Sequence, residues 1–144
     1  MNNKIWLDMD GTFVDLYGVE GWLPMLQNAD PTPYIVAKPL VNMSSLARLL
    51  KKAQRVGYEI GIISWLSKNS NSEYDIKVTN AKLEWLENHL PSVEWNEIKI
   101  VAYGTPKHEV ARGILFDDEE YNRNMWGKGA YMPNELLEFL RGLE

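Results

Sequence analysis

The chain contains no cysteine among its 144 residues. This absence excludes disulfide bonds, zinc–thiolate centres and a cysteine nucleophile. The chain also lacks an apolar run long enough to span a bilayer, and its first residues lack the apolar stretch of a signal peptide. We therefore expect a cytoplasmic protein that has no membrane partner.

Basic residues are also scarce. Lys and Arg together number 15 against 20 acidic residues, which gives a net charge of −5, and the basic residues form no block. Binding to a nucleic-acid backbone depends on clustered positive charge, so we expect no nucleic-acid partner. A mildly acidic protein that binds an anion needs a local source of positive charge, such as a metal ion or a few lysines.

The apolar residues alternate between two kinds of pattern. Hydrophobic residues make up 45% of the chain, which suits one compact domain over residues 1–144. Short apolar runs predict strands at residues 4–7, 58–63, 98–102 and 113–116, and helical spacing predicts helices at residues 42–57, 76–90 and 134–144. Residues 19–38, rich in proline, predict a loop with at most one short helix, and the polar residues 67–75 predict a mobile loop. This alternation predicts a Rossmann-like three-layer α/β/α sandwich with a mainly parallel central sheet.

Polar residues follow each predicted strand, and in such sheets ligands bind beyond the carboxyl ends of the strands. These residues are Asp8 and Asp10, Ser64, Lys107, and the pair Asp117 and Asp118. Four carboxylates at one edge would repel each other, and a divalent cation would relieve the repulsion. Oxygen ligands without His or Cys favour Mg²⁺, which commonly bridges to a phosphate. Lys107 and Ser64 would then hold the remaining phosphate oxygens.

Some of these assignments have alternatives. Lys99, on a predicted strand, is a weaker rival of Lys107 for the phosphate. Asp15 either belongs to the first acidic motif or caps the next turn. Trp22, Trp65 and Tyr34 are candidates for substrate contact, with simple packing in the core as the alternative.

Taken in order, these residues resemble the four motifs of the haloacid dehalogenase superfamily of phosphohydrolases, over nearly the whole chain. Residues 8–12, DMDGT, resemble the first motif, and Asp15 follows three residues further on. Ser64 in IISW resembles the second motif, and Lys107 in GTPKHEV resembles the third. The segment ILFDD, which ends at Asp118, resembles the fourth motif.

The resemblance implies a role for each motif residue. Asp8 would be the nucleophile that forms an aspartyl-phosphate, and Asp10 would act first as general acid and then as general base. The implied Mg²⁺ ligands are Asp8, Asp10 through its backbone carbonyl, and Asp118 with Asp117 beside it. The implied phosphate-binding residues are Ser64, Lys107, Gly11 and Thr12, with Gly11 and Thr12 also shaping the turn.

A closer resemblance is to the 5'(3')-deoxyribonucleotidase branch of that superfamily. The segment KLEWLENHLP is similar to a pattern of that branch and places Lys82, Trp85, Leu86, His89 and Pro91 in it. In that branch a helical cap selects the nucleoside. Here residues 16–39 form only a reduced cap or a loop insertion.

We therefore predict a Mg²⁺-dependent phosphomonoester hydrolase that acts on a small phosphorylated metabolite, with (deoxy)nucleoside monophosphates among the candidates. One alternative is a phosphatase for a macromolecular substrate, because a short cap leaves the site open to bulky groups. A second alternative is a non-catalytic domain that binds phosphate or a partner. A homodimer is also compatible with a short cap, because a neighbouring subunit could close the site.

Overall fold

The structure is a computed structural model that describes residues 3–144. In chain order its elements are β1 (Lys4–Leu7), β2 (Val14–Asp15), α1 (Trp22–Gln27), α2 (Thr32–Val36), β3 (Lys38–Pro39), α3 (Met43–Arg55), β4 (Glu59–Trp65), α4 (Ser72–His89), β5 (Glu97–Val101), α5 (Lys107–Val110), β6 (Ile114–Phe116), α6 (Glu120–Trp126), β7 (Ala130–Tyr131), a 3₁₀ turn (Pro133–Glu135) and α7 (Leu136–Arg141). Across the described residues, no helix is long and apolar enough to cross a membrane.

Five strands form one parallel sheet in the order β5-β4-β1-β6-β7. The first strand of the chain therefore lies in the middle, and the chain extends the sheet first to one side and then to the other. Such a change of direction creates a crevice at the carboxyl ends of the central strands. The ends of β1, β4 and β6 lie next to each other at this crevice.

Helices cover both faces of the sheet. Alternate side chains of β1, β4 and β6 pack on one face against α3, α7 and the end of α4; these are Ile5, Leu7, Ile60, Ile62 and Phe116. On the other face Trp6 packs with Ile63 and Leu115 near Trp126 of α6. A Cβ at Gly61 would lie 2.6 Å from the Trp6 ring, so the indole requires a glycine there. The predicted three-layer sandwich with a mainly parallel sheet is confirmed.

Several element boundaries differ from the prediction. Helix α4 begins at Ser72, so residues 72–75 are helical and not part of a loop. The side chain of Asn71 accepts a hydrogen bond from the Tyr74 amide, which caps a helix start that apolar spacing alone does not reveal. Helix α6 and strand β7 were not predicted, because a polar helix of seven residues and a strand of two leave little periodicity. The last helix is shorter than predicted and ends at Arg141.

The segment at residues 16–39 holds two short helices, α1 and α2, where at most one was predicted. Pro24 and Pro33 lie in the first turns of these helices, where a missing backbone N–H costs no helical hydrogen bond. Strands β2 and β3 pair antiparallel and hold the two ends of the segment together. Leu26 and Tyr34 pack against the buried face of α4, so the segment is anchored beside the crevice.

Candidate active site

A tight turn directly follows β1 and carries the first two acids. The Asp8 amide donates to the Phe116 carbonyl (3.0 Å), which continues the pairing of β1 with β6. Gly11 has a φ of +84°, a conformation that favours glycine, and its amide donates to the Val14 carbonyl (2.8 Å). The turn therefore brings Asp8 and Asp10 to the carboxyl edge of the sheet, and both line the same cavity.

Asp8 is held by one donor at each carboxylate oxygen. Its Oδ1 accepts from Lys107 Nζ (2.9 Å) and its Oδ2 from Thr12 Oγ1 (3.0 Å). Lys107 lies at the start of α5 and is only 2% exposed, and it also donates to Asp117 Oδ2 (2.7 Å). Burial lowers the pKa of Lys107, but the two carboxylates outweigh burial and raise it overall. Lys107 therefore stays charged and connects the ends of β1 and β6.

Asp117 is completely buried, and both of its oxygens accept hydrogen bonds. Besides Lys107, its donors are the Glu119 amide (2.9 Å) and the Asn122 side-chain amide (3.2 Å). Burial and the nearby charge of Asp8 raise the pKa of Asp117, and Lys107 only partly opposes them. The carboxylate of Asp117 therefore holds the loop after β6 in place through these hydrogen bonds, and it also adds negative charge to the site.

Asp118 has a different environment. It lines the cavity, and its buried Oδ1 has no hydrogen-bond partner among residues 3–144. Burial and the charge of Asp8 raise the pKa of Asp118 to about 9. The carboxylate lies directly against Gly11, since a Cβ on that glycine would lie 2.1 Å from Asp118 Oδ2. A buried carboxylate oxygen with no hydrogen-bond donor, beside other acids, can serve as a ligand for a cation.

Asp8, Asp117 and Asp118 each offer an oxygen, and these atoms all lie within 4.8 Å of one another. When all three carboxylates are ionised, Lys107 compensates only one of their negative charges in a largely buried place. A divalent cation with a preference for oxygen ligands fits both the charge and the donor set. The side chain of Asp10 is outside this group, and ligation through its backbone carbonyl stays a prediction.

Asp10 instead pairs with a residue that was noted in the sequence only as part of a family pattern. Lys82 of α4 is 1% exposed, and its Nζ donates to Asp10 Oδ2 (2.7 Å) and to Ser64 Oγ (2.7 Å). Ser64 is completely buried and lies outside the lining of the cavity. A lysine on the apolar face of a helix, beside Trp85 and Leu86, is the signal that could have identified Lys82.

The cavity above these acids has a volume of about 490 Å³. Its floor includes Asp8, Asp10, Lys107 and Asp118, and aromatic side chains form much of its walls: Tyr17, Trp22, Tyr34, Trp65 and Tyr103. Tyr17 meets Trp22 edge-on, and Trp65 packs against Tyr103, each pair with ring centroids 5.0 Å apart. The three aromatic residues that the sequence proposed for substrate contact, Trp22, Trp65 and Tyr34, all lie on this cavity.

Other sequence candidates lie elsewhere or have other contacts. Lys99 donates to the Val110 carbonyl (2.6 Å) and is outside the site, so it is no rival of Lys107. Asp15 accepts from the Gly18 amide (3.0 Å), which is the contact of a turn cap. The amides of Gly11 and Thr12 both donate within their own turn, and neither residue lines the cavity. Their contacts support the turn-shaping role, and phosphate contact stays a prediction for both.

Together these features define a Rossmann-like α/β protein with an acidic cluster beside a cavity at the carboxyl edge of its sheet. The chain is similar to the crystal structure of D,D-heptose 1,7-bisphosphate phosphatase from Burkholderia thailandensis. The TM-score is 0.57 at 12% sequence identity, and the similarity covers 97% of each chain. At this identity the similarity shows a common fold. No protein-family model matches the chain, and no curated protein matches it.

Proposed function

We propose that this protein is a Mg²⁺-dependent phosphomonoester hydrolase of the haloacid dehalogenase type. The observation that carries the proposal is the Asp8 carboxylate on the cavity floor, held by Lys107 and Thr12 beside the unpartnered oxygen of Asp118. A fold shared with a phosphatase supports the same reaction class. The motif order in the sequence supports it independently.

In the proposed reaction, a carboxylate oxygen of Asp8 attacks phosphorus. A bond forms between Asp8 and phosphorus, the bond to the leaving oxygen breaks, and Asp10 gives that oxygen a proton. Asp10 then takes a proton from the water that attacks the aspartyl-phosphate, which releases phosphate and restores Asp8. Lys107 lines the cavity and would neutralise charge on the phosphoryl group.

The cation is best placed among Asp8, Asp118 and the backbone carbonyl of Asp10. Bound there, Mg²⁺ would neutralise negative charge as the phosphoryl group is transferred. Asp118 is a better direct ligand than Asp117, because the oxygens of Asp117 already accept hydrogen bonds from Lys107, Glu119 and Asn122. Asp117 would then act from beside the ion.

The cavity walls favour a small substrate over a macromolecular one. A volume of about 490 Å³ lies within the range of small-molecule sites. Tyr17, Trp22 and Tyr34 of the segment at residues 16–39 form part of the wall, so this segment covers the acids in spite of its short length. A leaving group with a planar apolar face fits this wall, and a (deoxy)nucleoside monophosphate is the candidate we favour.

The test is hydrolysis of p-nitrophenyl phosphate with Mg²⁺ and with EDTA, in the wild-type protein and in Asp8→Asn. We expect turnover that needs Mg²⁺ and that Asp8→Asn abolishes in a protein that circular dichroism shows to be folded. Asp15→Asn is a matched control, because Asp15 follows that turn in β2 and, among the described residues, its carboxylate hydrogen-bonds only the Gly18 amide. Absence of turnover with this ester and with a panel of nucleoside and sugar monophosphates would favour a non-catalytic binding domain.

A further inference from the structure

Lys82 joins three parts of the chain that are distant in sequence. Its ammonium donates to Asp10 Oδ2 on the turn after β1 and to Ser64 Oγ near the end of β4, both at 2.7 Å. It also lies over the ring of Tyr34 in α2, 4.9 Å from the ring centroid. The Lys82 side chain is only 1% exposed, so its ammonium makes these contacts instead of contacts with solvent.

Lys82 differs from Lys107 in its relation to the cavity. Lys107 lines the cavity, whereas Lys82 does not. Two of the three N–H groups of Lys82 bind Asp10 and Ser64, and the ammonium faces the π-system of Tyr34. The geometry therefore does not suit direct binding of the phosphoryl group by Lys82. It suits control of the side chain that Lys82 does touch, Asp10.

We propose that Lys82 is a positioning residue that holds the Asp10 carboxylate for proton transfer to the leaving group. This inference rests on the proposed function. Because Oδ2 of Asp10 accepts the bond from Lys82, Oδ1 is the oxygen left to carry the transferred proton. The Asp10 side chain is 13% exposed at the cavity, so without the ammonium it can rotate into solvent. A positioned general acid commonly contributes about 10²–10⁴-fold, and loss of orientation forfeits much of this factor.

The proposed role makes the effect of Lys82 depend on the leaving group. A p-nitrophenolate leaves readily without a proton, whereas an alkoxide does not. The value of kcat/KM reports the steps up to release of the leaving group, so it isolates this proton transfer. For Lys82→Met we expect kcat/KM to fall about 100-fold or more with an alkyl phosphate and less than about 10-fold with p-nitrophenyl phosphate.

Two comparisons separate positioning from general damage. Lys107→Met removes the other buried lysine, which contacts Asp8, so we expect similar losses with both esters. In a double-mutant cycle, Lys82→Met should change kcat/KM of Asp10→Asn by less than about threefold, because the carboxylate it positions is already gone. Circular dichroism and thermal unfolding check the fold of each variant, and Lys82→Gln, which keeps a polar side chain, serves if Lys82→Met does not fold.

The outcomes are distinct. If the wild-type protein hydrolyses neither ester, the proposed function fails and the inference fails with it. If the wild type is active but folded Lys82→Met loses equal factors with both esters, or the cycle is additive, only the inference is overturned. Failure of both Lys82 variants to fold would make Lys82 a structural residue and would likewise overturn it. Selective loss with the alkyl ester together with a non-additive cycle supports it.

Discussion

Gly11 offers the sharpest test of the contact between the turn after β1 and Asp118. In Gly11→Ala the new Cβ would lie 2.1 Å from Asp118 Oδ2 and 2.5 Å from its Cγ. Carbon atoms cannot approach this closely, so the carboxylate must move away from its present place. Because Asp118 is the proposed direct Mg²⁺ ligand, we expect the substitution to weaken Mg²⁺ binding specifically.

We expect Gly11→Ala to have two separate effects, one on stability and one on Mg²⁺ binding. The φ of +84° disfavours a side chain and costs about 1–2 kcal/mol in unfolding free energy. For a chain of this size, that loss lowers the melting temperature by about 3–10 °C. The displacement of Asp118 causes the second effect, which we expect to appear as an increase of about 10-fold or more in the Mg²⁺ concentration for half-maximal activity.

Gly104→Ala is the matched control. Gly104 has the same φ of +84°, but a Cβ there would meet no atom of the described part of the chain within 4 Å. We expect a similar fall in melting temperature and a Mg²⁺ dependence within about threefold of wild type. Gly104 adjoins Tyr103 on the cavity wall, so an effect transmitted through that ring would appear in the KM for substrate.

The assay is a Mg²⁺ titration of p-nitrophenyl phosphate hydrolysis, with thermal unfolding of the same samples. If Gly11→Ala and Gly104→Ala showed the same Mg²⁺ dependence, the assignment of Asp118 as the ligand would be refuted. The same conclusion would follow if Gly11→Ala bound Mg²⁺ as well as the wild type did.

Two further predictions follow from the charges around Asp8. The raised pKa of Asp118, about 9 against 3.8 for an ordinary Asp, means that the metal-free folded state binds this proton more tightly than the unfolded state. At pH values between these two pKa values, the free energy of unfolding of the metal-free wild type should fall with rising pH relative to that of Asp118→Asn. Over the same pH range, the rise in melting temperature that Mg²⁺ induces in the wild type should grow. Lys107→Met should lose about 3–5 kcal/mol in a urea titration at pH 7, because it leaves the buried carboxylates of Asp8 and Asp117 without their cation; the loss should shrink when Mg²⁺ is added.

Each of these has a contrary outcome. The prediction for Asp118 would be contradicted if the Mg²⁺-induced rise in melting temperature were independent of pH, or if it persisted in Asp118→Asn. The prediction for Lys107 would be contradicted if Lys107→Met lost less than about 1 kcal/mol of unfolding free energy. Such a small loss would mean that water solvates the two carboxylates or that a proton neutralises them.

The fold could be predicted from the sequence because its signals are local. Continuous apolar runs such as residues 4–7 and 113–116 indicate buried parallel strands, and the spacing of apolar residues in α3 indicates a helix. Once strands and helices alternate, each helix returns the chain across the sheet, so successive strands run parallel. Acids placed directly after two strands then have to meet at the same edge.

Prediction was weaker where an element is short or where a cap decides its start. The two helices of the segment at residues 16–39 contain prolines that resemble loop signals, and only packing against α4 stabilises them. Strand β7 contributes two residues to the sheet, and its position is determined by pairing with β6. Neither feature leaves a periodic pattern, because tertiary contacts and not local preference hold it in place.

The partners of the buried polar groups were decided only by the tertiary structure. The order of residues places Asp8, Asp10, Lys107 and Asp118 near one sheet edge, but it cannot say which oxygen accepts from which donor. Lys82 lies 72 positions from Asp10, and only the packing of α4 against the sheet brings the ammonium to that carboxylate. Apolar burial is non-directional and can be read from composition and spacing, whereas a hydrogen bond requires a distance and an angle that exist only once the chain has folded.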